Sequence, residues 1–61
     1  MAQITAKELS AITDLLGMEK LLVAKYEAYA CATTDSALKN EYEQIALRHQ
    51  RHYDELYANL K

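Results

Sequence analysis

The chain has 61 residues and a formal net charge of −2, with no proline and one glycine, and 51% of its residues are hydrophobic. Its lysines and arginines are scattered, so we expect no nucleic-acid partner. No apolar run approaches the roughly 20 residues that cross a bilayer, and the N-terminus lacks the basic-then-apolar layout of a signal peptide. We therefore predict a single cytoplasmic, all-α domain over 1–61.

A partner chain is the expected stabiliser of so small a domain. A chain of this length buries only about 60% of its unfolded surface and commonly depends on disulfides, a metal or a partner. Cys31 is the only cysteine, so no disulfide can form within the chain. We interpret Cys31 as an unreactive, semi-buried thiol and not as a cross-link between two chains.

The first helix is predicted over about 6–32. Thr5 and Glu8 have the spacing of a capping box, which marks a helix start. Apolar residues then recur at spacings of three and four, typical of a helix with one buried face: Leu9, Ile12, Leu15, Leu16, Leu22, Val23, Tyr26 and Tyr29. Gly17 marks either a close approach of another helix or a tolerated weak point, and we favour the weak point.

A turn over about 33–35 and a second helix over about 36–60 follow. Asp35 is the predicted N-cap, within a cluster of turn residues. The three and four spacing then resumes: Leu38, Tyr42, Ile45, His49, His52 or Tyr53, Leu56 and Leu60. So short a connection forces an antiparallel two-helix hairpin.

A single hairpin would leave much of both apolar stripes in water. Two hairpins packed face to face would cover them, and two-fold pairing is the commonest oligomer symmetry. We therefore predict a homodimer that forms a four-helix bundle.

Three polar residues, Glu19, His49 and His52, lie on the predicted apolar stripes. Glu19 is about fifteen residues before the turn and His49 about fifteen after it, so a hairpin places them at one level. Such residues are typical metal ligands. For Glu19 we weigh three interpretations: a core carboxylate paired with His49 or a tyrosine hydroxyl, a metal ligand, or a hydrated residue at the bundle edge. We expect His52 to be partly exposed.

No catalytic residue is predicted. The serines near the helix starts are explained by capping, Cys31 has no neighbouring histidine in sequence, and no glycine-rich phosphate loop exists. We therefore do not expect an enzyme.

Residues 15–26, 34–39 and 45–53 resemble the coat F family of spore coat proteins from endospore-forming bacteria. The most specific parts are Met18-Glu19 and the run His49-Gln50-Arg51-His52-Tyr53, and the resemblance covers nearly the whole chain. It implies a ferritin-like hairpin that belongs to the spore's protein coat, is made in the mother-cell cytoplasm and has other coat proteins as partners.

The ferritin-like superfamily implies a di-metal site built from a Glu on one helix and a Glu-x-x-His on the next. By this resemblance Glu19 matches the first Glu and His49 matches the His. Ala46 stands where the bridging Glu is expected, which argues against di-iron chemistry. A dimer would offer two copies of Glu19 and His49, enough for one four-coordinate ion of the zinc type. His52 or Glu27 would add ligands only if the geometry of the bundle allows it.

Two functions from different classes follow. The leading interpretation is a non-enzymatic structural or assembly module that resembles a spore coat protein and acts as a homodimeric bundle. The alternative is a small ferritin-like metal-binding protein in which Glu19 and His49 from both chains hold zinc or iron at the dimer centre. An oxygen-dependent oxidase ranks third, because the second Glu is missing.

Overall fold

The computed structural model of the chain describes residues 4–60; residues 1–3 and 61 of the predicted domain lie outside the described residues. Two helices, α1 (Ala6–Ala32) and α2 (Ser36–Ala58), pack against each other as a hairpin of 47 × 17 × 11 Å. Residues 33–35 connect the helices, and residues 59–60 form a turn after α2. The prediction of an all-helical chain with two packed helices is confirmed, and the described residues contain no strand.

α1 begins at the predicted capping box. The Glu8 N–H donates to Thr5 Oγ1 at 3.1 Å, and the Thr5 N–H donates to Glu8 Oε1 at 3.0 Å. These two bonds pair amide groups that have no partner inside the helix. The pKa of Glu8 is lowered, chiefly by the hydrogen bond from the Thr5 backbone N–H and next by hydrogen bonding from the Thr5 side chain, because both interactions stabilise the charged carboxylate.

Two capped helix ends reverse the chain within three residues. Thr33 and Asp35 both have extended backbone conformations. The Asp35 N–H donates to Thr33 Oγ1 at 3.1 Å, and Asp35 Oδ1 accepts from the amides of Ala37 and Leu38 at 2.9 and 3.0 Å. The side chain of Asp35 therefore caps α2 while its backbone continues the turn.

The hairpin has almost no core. Ala30 and Ala46, both with small side chains, are the only buried residues among those described. Every larger apolar side chain of the stripes is half-buried or exposed, because two helices cover only what lies between them.

The structure shows the surroundings of Gly17 and of Cys31, for which specific predictions were made from the sequence. A Cβ added at Gly17 would meet nothing within 4 Å, so Gly17 is not a site of close helix approach. The prediction of a semi-buried Cys31 was wrong, since this thiol is exposed. Ala30 takes the position that faces α2, and the next residue is turned about 100° away from it.

The chain is extended and exposes much surface. Its accessible surface of 4835 Å² is about 800 Å² more than the roughly 4,000 Å² typical of a compact 7.0 kDa protein. Its radius of gyration of 14.4 Å likewise exceeds the value of about 10.5 Å expected for a compact chain of this length. Neither helix in the described part of the chain combines the length and apolar character that a membrane span requires.

Candidate metal centre

Glu19, His49 and His52 meet at one point on the hairpin. His49 Nδ1 lies 3.0 Å from Glu19 Oε1, and His52 Nδ1 lies 3.0 Å from Glu19 Oε2. One ligand-type atom from each residue lies within 4.8 Å of the other two. The two helices thus direct three metal-binding side chains to a single cluster, which we call the Glu/His cluster.

The chain geometry explains this convergence. Glu19 is at the midpoint of α1, and the hairpin brings His49 of α2 to the same level. His52 follows three residues later, and residues at this spacing share one side of a helix. The two imidazole rings are in edge-to-face contact, with centroids 5.6 Å apart and planes at 82°. Both histidines can therefore reach one carboxylate.

The Glu19 carboxylate is only partly satisfied. Its side chain is 14% exposed, compared with 22% for His49 and 49% for His52. Oε1 is hydrogen-bonded to His49, whereas Oε2 is buried and has no hydrogen-bond partner among the described residues. The 3.0 Å contact from His52 Nδ1 is close enough for electrostatic attraction but lacks hydrogen-bond alignment. A buried carboxylate oxygen without a hydrogen bond is unfavourable, so a cation bound at Oε2 would stabilise it.

Tyrosines enclose the cluster on the side nearer the turn. The His49 ring is stacked on Tyr26, with centroids 6.2 Å apart and planes at 15°. Tyr26 in turn contacts Tyr29 edge-on at 5.6 Å and Tyr42 at 6.1 Å. These rings restrict the orientation of the His49 imidazole and limit the access of water from that side.

On its other side the cluster opens into a shallow groove. Its volume is about 380 Å³, and it is lined by Leu15, Glu19, His52, Glu55, Leu56 and Asn59. Water or a ligand can therefore approach the Glu19 and His52 side chains from this groove.

The donor set suits a transition-metal ion. Two imidazoles and one carboxylate bind zinc in sites that keep an open position, and the same set binds iron(II). Donor atoms around a tetrahedral zinc ion, each roughly 2.1 Å from the metal, are about 3.4 Å apart. The two nitrogen–oxygen contacts of 3.0 Å involve different oxygens of Glu19, and one donor atom from each residue lies within 4.8 Å of the others. The side chains would therefore need only small adjustments to reach the spacing of a bound ion.

Glu27, which was considered as a further ligand, lies elsewhere. Ala46 is buried between the helices, and it lines a groove on the opposite side of the hairpin together with Glu27. Glu27 therefore does not replace the missing bridging carboxylate. A tyrosine hydroxyl was one expected partner of Glu19, but the stacking of the Tyr26 ring on His49 was not predicted, although Tyr26 follows Glu19 by seven residues.

No known family model matches the chain, and comparisons with curated proteins and with solved structures found no match either. The functional inference therefore depends on the Glu/His cluster and on the surfaces around it.

Proposed function

We propose that this chain is a non-enzymatic, homodimeric helical module that binds a divalent transition metal through Glu19, His49 and His52. The observation that carries the proposal is the buried Glu19 Oε2, which lacks a hydrogen bond although His52 Nδ1 lies 3.0 Å away. A Glu–His pair that served packing alone would need only His49. The second histidine and the unsatisfied oxygen favour a bound cation.

The donor set favours one zinc or iron(II) ion over a di-iron centre. A di-iron site of the ferritin type needs several carboxylates, and the cluster contains only that of Glu19. Glu19 would supply the negative charge, and His49 and His52 would supply neutral nitrogen donors. Because Tyr26 holds the His49 ring in place, the site would be partly ordered before the metal binds.

The homodimer in this proposal is supported by the near absence of a core. Only two alanines are buried among the described residues, and a domain this small commonly requires a partner. Two ferritin-like hairpins would form a four-helix bundle.

A second candidate function is a purely structural component of a larger assembly, as the resemblance to coat F proteins implies. Such a protein would be made in the mother cell and would contact other spore coat proteins. It is favoured by apolar side chains on different sides of the hairpin, such as Leu21 and Leu47, which are both exposed. One face-to-face interface would not cover both leucines, so at least one of them would be available to contact further chains.

Zinc titration tests the metal-binding proposal. We expect Glu19→Gln and His49→Ala each to weaken zinc binding by more than the roughly 10–100-fold that loss of an outer-shell partner costs. Glu27→Gln, a change at an exposed glutamate on the same helix, is the matched control and should bind zinc as the unmodified protein does. Unchanged zinc affinity in Glu19→Gln would refute the proposed site.

Cobalt(II) provides an independent readout, since its visible absorption depends on the ligand set. We expect the spectrum of the bound ion to change when His52 is replaced by alanine. An identical spectrum and affinity in His52→Ala would exclude His52 as a ligand and leave only the Glu19–His49 pair.

A further inference from the structure

One face of the hairpin carries a regular pattern of side chains that the single chain buries only in part. On each helix, three side chains recur at intervals of seven residues: Leu15, Leu22 and Tyr29 on α1, and Leu38, Ile45 and His52 on α2. We call this surface the site face, because it includes His52 of the Glu/His cluster. A seven-residue repeat is typical of a seam along which another helix packs.

The six residues form three layers. The contact of Glu19 with His49 sets the register of the two helices. Leu15 and His52, which lie four residues before and three residues after this pair, share one level. The same offset places Leu22 beside Ile45 and Tyr29 beside Leu38.

Successive layers are about 10.5 Å apart, since each is separated from the next by seven helical residues. The outer layers are therefore equally distant from the middle one. A second copy of the chain can pack on this face with its own three layers in register, as a two-fold interface requires.

The six residues of the site face are at least partly exposed and carry no charged side chain of the Asp, Glu, Lys or Arg type. Leu15 and Leu38 are each 45% exposed. The groove on the opposite side is lined by Glu27, Lys39 and Glu43 among apolar residues. Burying those three charged side chains would require their desolvation. On the site face, the groove at Leu15 and His52 has Glu55 as its one charged lining residue besides Glu19 of the cluster.

The exposed area of the hairpin is also consistent with a second copy of the chain as the partner. The chain exposes about 800 Å² more than a compact protein of its mass. A standard protein interface buries about 800 Å² on each partner. One interface of ordinary size would therefore bring the exposed surface of the hairpin to that of a compact protein.

We infer that a second copy of this chain docks on the site face and covers the open side of the Glu/His cluster. The inference rests on the proposed function for the existence of a homodimer. It adds which surface forms the interface and that the metal site lies within it. Because docking covers a His52 side chain that is 49% exposed in the single hairpin, metal binding and dimerisation should affect each other reciprocally.

Matched charge substitutions test the assignment of the face. Leu15→Glu changes the site face, and Leu47→Glu changes the opposite side; the two leucines are 45% and 51% exposed. Folding of the single hairpin should therefore respond similarly to both. We expect Leu15→Glu to weaken the dimer by at least about 30-fold, because the introduced carboxylate would be desolvated in the interface. Leu47→Glu should retain the dimer, as measured by sedimentation velocity over a range of concentrations.

Cysteine protection provides a second measurement if the charged variant loses its helicity. In a Cys31→Ser background, the alkylation rate of Leu15→Cys should fall as the protein concentration rises through the dimer dissociation constant. The rate of Leu47→Cys should stay constant. Protection at position 47 alone, or dissociation by Leu47→Glu alone, would overturn the inference about the site face.

The outcomes also separate this inference from the proposed function. A dimer held together through the other face would overturn only the inference. An unmodified protein that is monomeric at every concentration would refute the proposed homodimer as well. Zinc titration of the same samples measures metal binding independently of both results.

Discussion

The pairing of Glu19 with His49 is measurable as a coupling free energy in metal-free protein. Their side chains are 14% and 22% exposed, and the hydrogen bond between them is 3.0 Å long. A hydrogen bond to a charged group contributes roughly 1.5–3 kcal/mol, and the residual exposure places this one at the lower end. We therefore expect a coupling of about 1.5 kcal/mol in a double-mutant cycle of Glu19→Ala and His49→Ala.

This coupling would be a large share of the stability of the fold. At roughly 0.05–0.15 kcal/mol per residue, a chain of 61 residues has a free energy of unfolding of about 3–9 kcal/mol. Urea unfolding followed by helical circular dichroism, in chelator and at one fixed protein concentration, gives the four values of the cycle. The change in the double variant should be smaller than the sum of the single changes.

The exposed Glu27 supplies the control cycle. Glu27→Ala should alter the free energy of unfolding by no more than about 0.5 kcal/mol and should show no coupling to His49→Ala. A Glu19–His49 coupling below about 0.5 kcal/mol would show that the contact does not stabilise the hairpin. With zinc at about 100 times its dissociation constant, the unmodified protein should gain about 2.7 kcal/mol, and Glu19→Ala should gain much less. Equal gains would refute Glu19 as a ligand.

Three further predictions concern the helices themselves. Asp35→Ala removes the acceptor of two amide hydrogen bonds and should cost about 1 kcal/mol, lowering the melting temperature by about 4–8 °C; Ser36→Ala is the control, and equal effects would contradict the capping role. The lowered pKa of Glu8 means that its contribution is present above its unfolded pKa and is lost as pH falls through the lower folded pKa. The protection of amides in the first turn of α1, measured against the exchange rate of the unfolded chain at the same pH, should therefore fall below about pH 4.5, with no such fall in Glu8→Gln. Gly17→Ala should stabilise the protein by about 0.5–1 kcal/mol, since a Cβ there meets nothing within 4 Å; a lower melting temperature would show an unrecognised contact.

The helical hairpin was readable from local sequence features. Thr5 with Glu8 and the Asp35 cap produce hydrogen bonds between residues two or three positions apart, so the chain needs no distant contact to specify them. The level of Glu19 and His49 followed from counting residues on either side of the turn. In contrast, the periodicity of the large apolar residues did not predict how deeply each is buried. The same periodicity includes residues that a single hairpin leaves exposed.

The details of the Glu/His cluster were beyond sequence reasoning. Spacing placed His52 on the same side as His49, but it did not predict that His52 Nδ1 would lie 3.0 Å from Glu19 Oε2. That distance depends on side-chain rotamers and on the separation of the helices. The buried residues are Ala30 and Ala46, whereas the sequence pattern had drawn attention to leucines and tyrosines.

Elemental analysis of untagged protein, with its mass determined by light scattering, tests the metal-binding proposal most directly. We predict a dimer that contains at least about half an equivalent of zinc or iron per chain, with the metal lost in Glu19→Ala. A protein that is purified without metal, and that remains metal-free after incubation with zinc and removal of the excess, would contradict the proposed site.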